Sequence, residues 1–497
     1  MKTTIYKWIF PVAMLSASFA GCKKQLDINN NPNEVPESAI KAELVIPSAL
    51  LETGRQTVAN YGWLANWMGY WSPSGSYNPN TEESTYNITT SFAEGKWPAM
   101  YTVLFNLNIA EKNAAAAKQT YIQSMAMIMS AYLYQNLVDL YGNVPYSEAF
   151  QFLDHPTPKY DKGEDIYAAL HKKLDDAINL LKTAAVNPLE EKVDIVFHGD
   201  TDMWTRFANT LKLRLLLRTS KVNPNPTAEL AKIEANGGIL GSEESVNVDP
   251  GFANDVGKQS PFFGLYGLAP SGNSANEYFR ANAYIINVMR NANDPRIGYF
   301  FKKAATPSDP AKPYVGTVYG ADPNTLFNGD RTSNIGPGLA RKFDQPQWVL
   351  TSVESQFFYA EAVARGWIAD NEQDAYENAV YESFLWLGVP DPVGSTIAYL
   401  GTDNANWANA GTTVDSKVKF IVRQKYIALT GICPLEAWCD YRRLGVPTDI
   451  PLSVNPARGS RVIPSRLLYP AAELAVNGAN VQAQGSITPN SKLFWDK

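Results

Sequence analysis

Ten aromatic residues crowd between Tyr61 and Tyr101: Tyr61, Trp63, Trp67, Tyr70, Trp71, Tyr77, Tyr86, Phe92, Trp97 and Tyr101. They alternate with small amide and hydroxyl residues, namely Asn66, Ser72, Ser74, Ser76, Asn78, Asn80 and Thr81. Flat rings beside short polar groups suit a ligand that is apolar on its faces and polar at its edges. Such rings give a large contact area with few rotatable bonds to freeze. Sugars and peptides both answer that description. Core packing competes for the same rings. Trp63, Trp67 and Trp71 stand at i, i+4 and i+8, which on a helix is one face and reads first as core.

Residues for catalysis are sparse by comparison. The three histidines, His155, His171 and His198, form neither H-E-x-x-H nor H-x-x-x-H, so no zinc-hydrolase pattern exists. G-x-S-x-G, Walker and G-x-G-x-x-G motifs are missing. A glycosidase needs only two carboxylates without fixed spacing, and Glu354 and Glu361, seven residues apart on a predicted helix, qualify formally. Their commoner role is helix packing. The run Arg206, Lys212, Arg214, Arg218 and Lys221 reads as an anion site or, more ordinarily, as a charged helix surface paired with acids. No catalytic residue, metal or cofactor is assigned.

The totals narrow the class further. With 43 basic and 49 acidic residues the chain lacks the basic stripe that nucleic acid demands. At 45% hydrophobic and 12% aromatic it can bury a large core. The first 21 residues read as a secretory signal: Lys2 and Lys7, then an apolar run, then small residues ending Ala20-Gly21-Cys22. Cysteine after Ala-Gly is similar to the bacterial lipobox, which marks Cys22 for lipidation. Residues 22–36 are polar and rich in Asn and Pro, a flexible tether. Residues 37–497 then form one domain. Cys433 and Cys439 are predicted as two buried thiols. On a helix they lie about 9 Å apart along the axis, beyond the ~7 Å a disulfide spans.

Helical periodicity dominates that domain. Helices are predicted from about 38 with a break at Pro47, over 52–71, and from Ser91, with a Ser91/Glu94 capping box, to about 117. Others are predicted over 119–141, 163–185, 200–219, 276–292, 352–367, 371–387, 416–430 and 435–443. Residues 237–275 and 306–346 break the pattern, the second with a short strand near 314–319. Irregular stretches this long inside a compact chain are usually functional. The expectation is all-α: stacked tetratricopeptide-like hairpins joined in pairs, with long irregular loops carrying the site.

Ordered phrases along the whole chain, from Leu26 to Asn33 through Asp139 to Ala149, Asn209 to Arg214 and Gln424 to Leu429 as far as Tyr469-Pro470, resemble the SusD/RagB family of nutrient-binding outer-membrane lipoproteins of Bacteroidetes. The most recognisable is Asp139-Leu140-Tyr141-Gly142-Asn143-Val144-Pro145-Tyr146-Ser147-Glu148-Ala149. Leu26 to Asn33, Asn209 to Arg214, Asn293 to Arg296, Ala360-Glu361-Ala362 and Gln424 to Leu429 continue it. Glu436-Ala437-Trp438, Asp440 to Arg443 and Tyr469-Pro470 complete the match. The resemblance implies about four tetratricopeptide-like hairpins and a cell-surface lipoprotein capping a SusC-type TonB-dependent barrel. It implies non-catalytic capture of oligosaccharide, or in some members peptide, for delivery to that barrel. A surface glycoside hydrolase is the enzymatic alternative. No dense acidic run follows Cys22, so surface display rests on the resemblance.

Loops carry binding residues more often than helices do. The expected ligand surface is Trp71, at the mouth of its loop, with Tyr77, Asn78 and Tyr86. Tyr266, Asn273 and Tyr278, in and beside the central irregular segment, and Trp348 complete it. Trp63 and Trp67 are expected in the core.

Overall fold

The computed structural model describes residues 36–59 and 61–496. The signal segment, Cys22 and the tether up to residue 35 lie outside the described residues. No helix among the described residues is long and apolar enough to cross a membrane.

Helices form the frame: α1 (Ala42–Val58), α2 (Gly62–Trp67), α3 (Lys96–Ala117), α4 (Thr120–Tyr141), α5 (Gly163–Leu181), α6 (Thr201–Arg218), α7 (Ser352–Ala364), α8 (Glu372–Leu387), α9 (Val414–Ala428) and α10 (Pro434–Leu444). From α3 onward, successive helices pack as four pairs, α3/α4, α5/α6, α7/α8 and α9/α10, with α1 lying against α3. The fold is all-α, as its periodicity predicts. Helix α4 is buried along almost its whole length, so neighbours cover every face, and the polar residues it carries, Gln135, Asn136 and Asp139 among them, are buried with it. Its end is fixed by Gly142 at φ +81°, a left-handed position that suits glycine. Caps set other starts: the Asp200 carboxylate accepts from the Asp202 and Met203 amides, and Thr351 forms a capping box with Glu354.

Charge binds this frame from within. Asp139 (α4), Arg218 (α6), Glu361 (α7), Lys425 (α9) and Glu436, Asp440 and Arg443 (α10) are all buried. Arg443 grips Glu361 with both terminal nitrogens, at 2.5 and 2.7 Å, and Asp440 at 2.8 Å. Arg218 meets Glu436 at 2.6 Å and Asp139 at 3.2 Å, and Lys425 meets Glu436 at 2.6 Å and Asp440 at 2.8 Å. Of the basic run, Arg206, Lys212 and Arg218 are paired with acids, as the plainer reading expects, whereas Arg214 donates to the amides of Gln135 and Asn136; Lys212, Arg214 and Arg218 are buried, not solvated. Glu361 belongs to this network, and Glu354 is spent on the α7 cap. Cys433 and Cys439 are both free thiols.

Several predicted elements differ. Helix α1 continues through Pro47 because Ile46, Ala49 and Leu50 hold it in the core. The predicted 52–71 helix is two helices and a strand, since Gly69 at φ +67° turns the chain out before Trp71. Gly95, not Ser91, precedes α3, and Pro98 falls in the first turn, where its missing N–H costs nothing. Residues 276–282 are not helical: Phe279–Ala281 is a strand, and the helix begins at Ala283. No strand forms over 314–319, where only a bridge from Thr317 to Asn282 exists.

Two antiparallel ladders tie the irregular segments to the frame. Strand β1 (Trp71–Pro73) pairs with β3 (Phe279–Ala281), Trp71 opposite Ala281 and Pro73 opposite Phe279. Strand β2 (Val246–Val248) pairs with β4 (Gln347–Leu350), Val246 opposite Leu350.

Candidate ligand-binding cleft

The β1/β3 ladder joins the aromatic stretch to the central irregular segment. Beyond Pro73 the loop is held from both sides: the Ser74 amide donates to Tyr278 O at 2.7 Å, and the Gly75 amide to Phe327 O at 2.7 Å. A Cβ on residue 75 would stand 2.2 Å from Asn324 O, so the close approach requires glycine. Tyr77 is thereby displayed, 41% exposed, with its ring centroid 5.6 Å from that of Tyr278.

From Tyr77 an unbroken arc of rings runs inward. Tyr278 meets Phe279 at 5.0 Å, Phe279 meets Trp71 at 5.5 Å and Trp71 meets Tyr266 at 4.8 Å. Tyr266 meets Phe262 at 5.0 Å, and Phe262 meets Trp348 at 4.7 Å. Five of the eight expected residues thus share one structure. Their depths differ from expectation, however. Trp71 is buried inside the β1/β3 ladder, not at a loop mouth. Trp348 is buried, its indole N–H donating to Ile432 O at 3.2 Å. Tyr86 is buried in a separate cluster with Trp67, and its hydroxyl accepts from the Ser453 amide at 2.9 Å. Tyr266 is also mostly buried, yet it lines the cleft described next. Asn78 and Asn273 are exposed on loops outside the arc. Trp63 and Trp67 are buried, as expected of core, with ring centroids 4.7 Å apart.

A cleft of about 540 Å³ opens beside this arc. Trp63, Phe92, Leu265, Tyr266 and Phe279 supply apolar walls, and Asn80, Glu82, Glu83, Ser91 and Asn276 supply polar edges. Asn80 caps the short helix Thr81–Thr85 by accepting from the Glu83 amide at 3.0 Å. The Glu83 side chain turns inward, where its Oε1 accepts from Asn66 Nδ2 at 2.7 Å and from the Tyr319 hydroxyl at 3.0 Å. Burial pushes its carboxyl up to about 7, despite those two bonds. Burial, with Glu83 nearby, pushes the Tyr278 hydroxyl up to about 12.

Phe92, Leu265, Asn276, Phe279 and Glu83 were not among the expected site residues. Thr81-Glu82-Glu83 behind Asn80 reads as an ordinary acidic first turn facing water. Only the arrival of Asn66 and Tyr319 from distant segments makes Glu83 part of an interior.

Two other concavities fit a hydroxyl-rich ligand less well. A groove of about 800 Å³ is lined chiefly by Trp97, Tyr101, Phe105, Phe150, Phe152 and prolines, with few hydrogen-bonding side chains. The void between Tyr61, Tyr132, Arg214 and Glu436 offers about 10 Å³, room for water alone.

The sequence matches, over residues 32–470, the SusD-like family described as starch-binding and associating with the outer membrane; the chain belongs to that family. Among solved structures it is similar to a SusD homologue from Bacteroides fragilis, at TM-score 0.75 and 21% identity over 92% of this chain and 99% of that one. A SusD-like protein from Bacteroides thetaiotaomicron matches at TM-score 0.72 and 24% identity, over 90% and 98%. A chitin-binding protein matches at TM-score 0.72 and 24% identity, over 91% and 100%. At these identities the likeness establishes the fold. No curated protein matches the sequence. The family is one of binding proteins at the outer membrane rather than of enzymes.

Proposed function

We propose that the protein is a non-catalytic receptor that binds oligosaccharide at the cell surface and passes it to a SusC-type TonB-dependent barrel. The observation carrying this reading is a cleft with aromatic walls and amide, hydroxyl and carboxylate edges, joined through Phe279 to the Tyr77–Tyr278 ring pair outside it. Sugar rings stack on aromatic faces while their hydroxyls need hydrogen-bonding edges, and the cleft lining holds both. The family description and the chitin-binding structural relative support a glycan over a peptide. Anchoring through lipid on Cys22, with the body facing outward, completes the proposal.

Affinity electrophoresis against a panel of immobilised polysaccharides tests the ligand. Retention by the native protein, and its loss in Tyr77→Ala/Tyr278→Ala with the fold intact, is the expected result. No retention on any polysaccharide, with heterogeneous peptides found in mass spectra of the purified protein, overturns it. Metabolic labelling with a fatty acid, abolished by Cys22→Ser, tests the anchor. Co-purification of a β-barrel from detergent-solubilised outer membranes tests the partner.

A further inference from the structure

The cleft carries charge of one sign. Its ionisable lining groups are Glu82 and Glu83, and no lysine, arginine or histidine lines it. Neither glutamate has an ion-pair partner among the described residues. Glu82 accepts from the Thr89 hydroxyl at 2.7 Å. Glu83 is only 7% exposed, and both of its protein donors, Asn66 and Tyr319, go to Oε1. Oε2 has no hydrogen-bond partner among the described residues.

A nearly buried carboxylate whose second oxygen has no protein donor, on a residue that lines the cleft, is an acceptor open to a ligand there. A ligand hydroxyl, amide N–H or ammonium would fill it. A ligand carboxylate or sulfate would instead add like charge where water screens poorly. From this geometry we infer that the cleft discriminates by charge: it takes neutral or amino-bearing glycans, rejects acidic ones, and uses Glu83 to do so. The inference rests on the cleft being the glycan site proposed above.

Discrimination should then follow the ionisation of Glu83. The groups around it are Asn66 from α2, Tyr319 from the 306–346 segment, Tyr278 beside β3, and Glu82 and Tyr86 on its own short helix. The three tyrosines keep their protons, since burial pushes all of them upward. Arg458, the cation beside Tyr86, donates to Ser453 O and does not pair with Glu83. Glu83 itself therefore changes charge near neutrality. Ionised, it accepts from the ligand and repels acids. Protonated, it becomes a donor, and the repulsion falls to what Glu82 supplies.

The test uses the full-length protein and three versions of one β-linked hexosamine hexamer. These are the N-acetylated neutral form, the deacetylated form, whose amines are cationic at pH 5.5 and largely neutral at pH 8.5, and the neutral form with its primary alcohols oxidised to carboxylates. A neutral glucan hexamer and its oxidised form run in parallel. Calorimetric titration at pH 8.5 should show the neutral or amino-bearing member of a series binding at least tenfold more tightly than the acidic one. That ratio should shrink several-fold at pH 5.5. Glu83→Gln keeps an acceptor for Asn66 and Tyr319, so its melting temperature should stay near the native one. It should bind acidic and neutral members within about threefold of each other at both pH values.

Acidic hexamers that bind as tightly as neutral ones, or a Glu83→Gln protein that discriminates like the native one, overturn the inference and leave the glycan reading standing. Absence of binding by every hexamer and by every immobilised polysaccharide overturns both.

Discussion

The helical frame and the ligand cleft both bury carboxylates, and they treat them in opposite ways. In the frame, Glu361 lies against the guanidiniums of Arg443 and Arg365, and these outweigh burial to hold its carboxyl down at about 2. In the cleft, Glu83 meets only an amide and a phenol, so burial wins and the carboxyl rises to about 7. The first is fully paired and locks helices together; the second is part-bonded, with an oxygen to spare. A buried charge matched with partners serves architecture, whereas one left incompletely matched is available to a ligand.

The largest effect should come from breaking the frame. Arg443→Ala leaves Glu361 and Asp440 buried without their shared partner, and should cost about 3–5 kcal/mol in urea unfolding, or prevent folding. Glu83→Gln, by contrast, should change unfolding by less than about 1 kcal/mol. Equal losses from the two would erase the distinction.

Next in size is the division within the aromatic arc. Trp71→Ala removes a buried indole and should cost about 3–5 kcal/mol, confounding any binding measurement. Tyr77→Ala removes an exposed ring, leaving the unfolding midpoint within about 0.5 kcal/mol of native while weakening glycan retention. Retention unaffected by Tyr77→Ala and Tyr278→Ala together would move the site off the outer end of the arc.

The two carboxylates should also give stability opposite pH slopes. The folded-state value of Glu361 lies below its unfolded one, so its contribution is present above about pH 4.5 and drains away as pH falls toward 2. Glu83 lies above its unfolded value, so folding holds a proton there that the unfolded chain releases. Its favourable contribution is full below about pH 4.5 and is lost as pH rises through 7. Melting curves should therefore gain stability from pH 2 to 5 in native protein and gain less in Glu361→Gln, where Glu436 still supplies part of the rise. The fall between pH 5 and 8 should flatten in Glu83→Gln.

The smallest effect provides the control. Lys172 and Asp176 form an exposed pair at 2.5 Å on α5, 76% and 48% exposed. Lys172→Ala should shift stability by no more than about 0.5 kcal/mol and leave binding unchanged.

Much of the frame is legible in the sequence because helices announce themselves locally. The spacing of Ile122, Met125, Met129, Leu133 and Leu137, closed by Gly142, marks α4 to within a residue. The recognisable phrases fall on the frame as well. Asp139, Glu361, Lys425, Glu436, Asp440 and Arg443 all come from them and are members of the buried ion network. The site is less legible because its residues meet across long stretches of chain. Tyr77 with Tyr278, and Glu83 with Tyr319, are pairings no local pattern announces.

What the sequence by itself determined is therefore the helical class, the pairing of helices, the family, and the presence of an aromatic-rich stretch able to bind. Periodicity, caps and ordered phrases are enough for that, since each acts within a few residues. What only the tertiary structure decided is the depth of each ring and the fate of each charge. Trp71 reads as a loop-mouth residue until β3 covers it, and Glu83 reads as a solvated acid until Asn66 and Tyr319 enclose it. Burial depends on what arrives from elsewhere in the chain, and burial separates scaffold from site here.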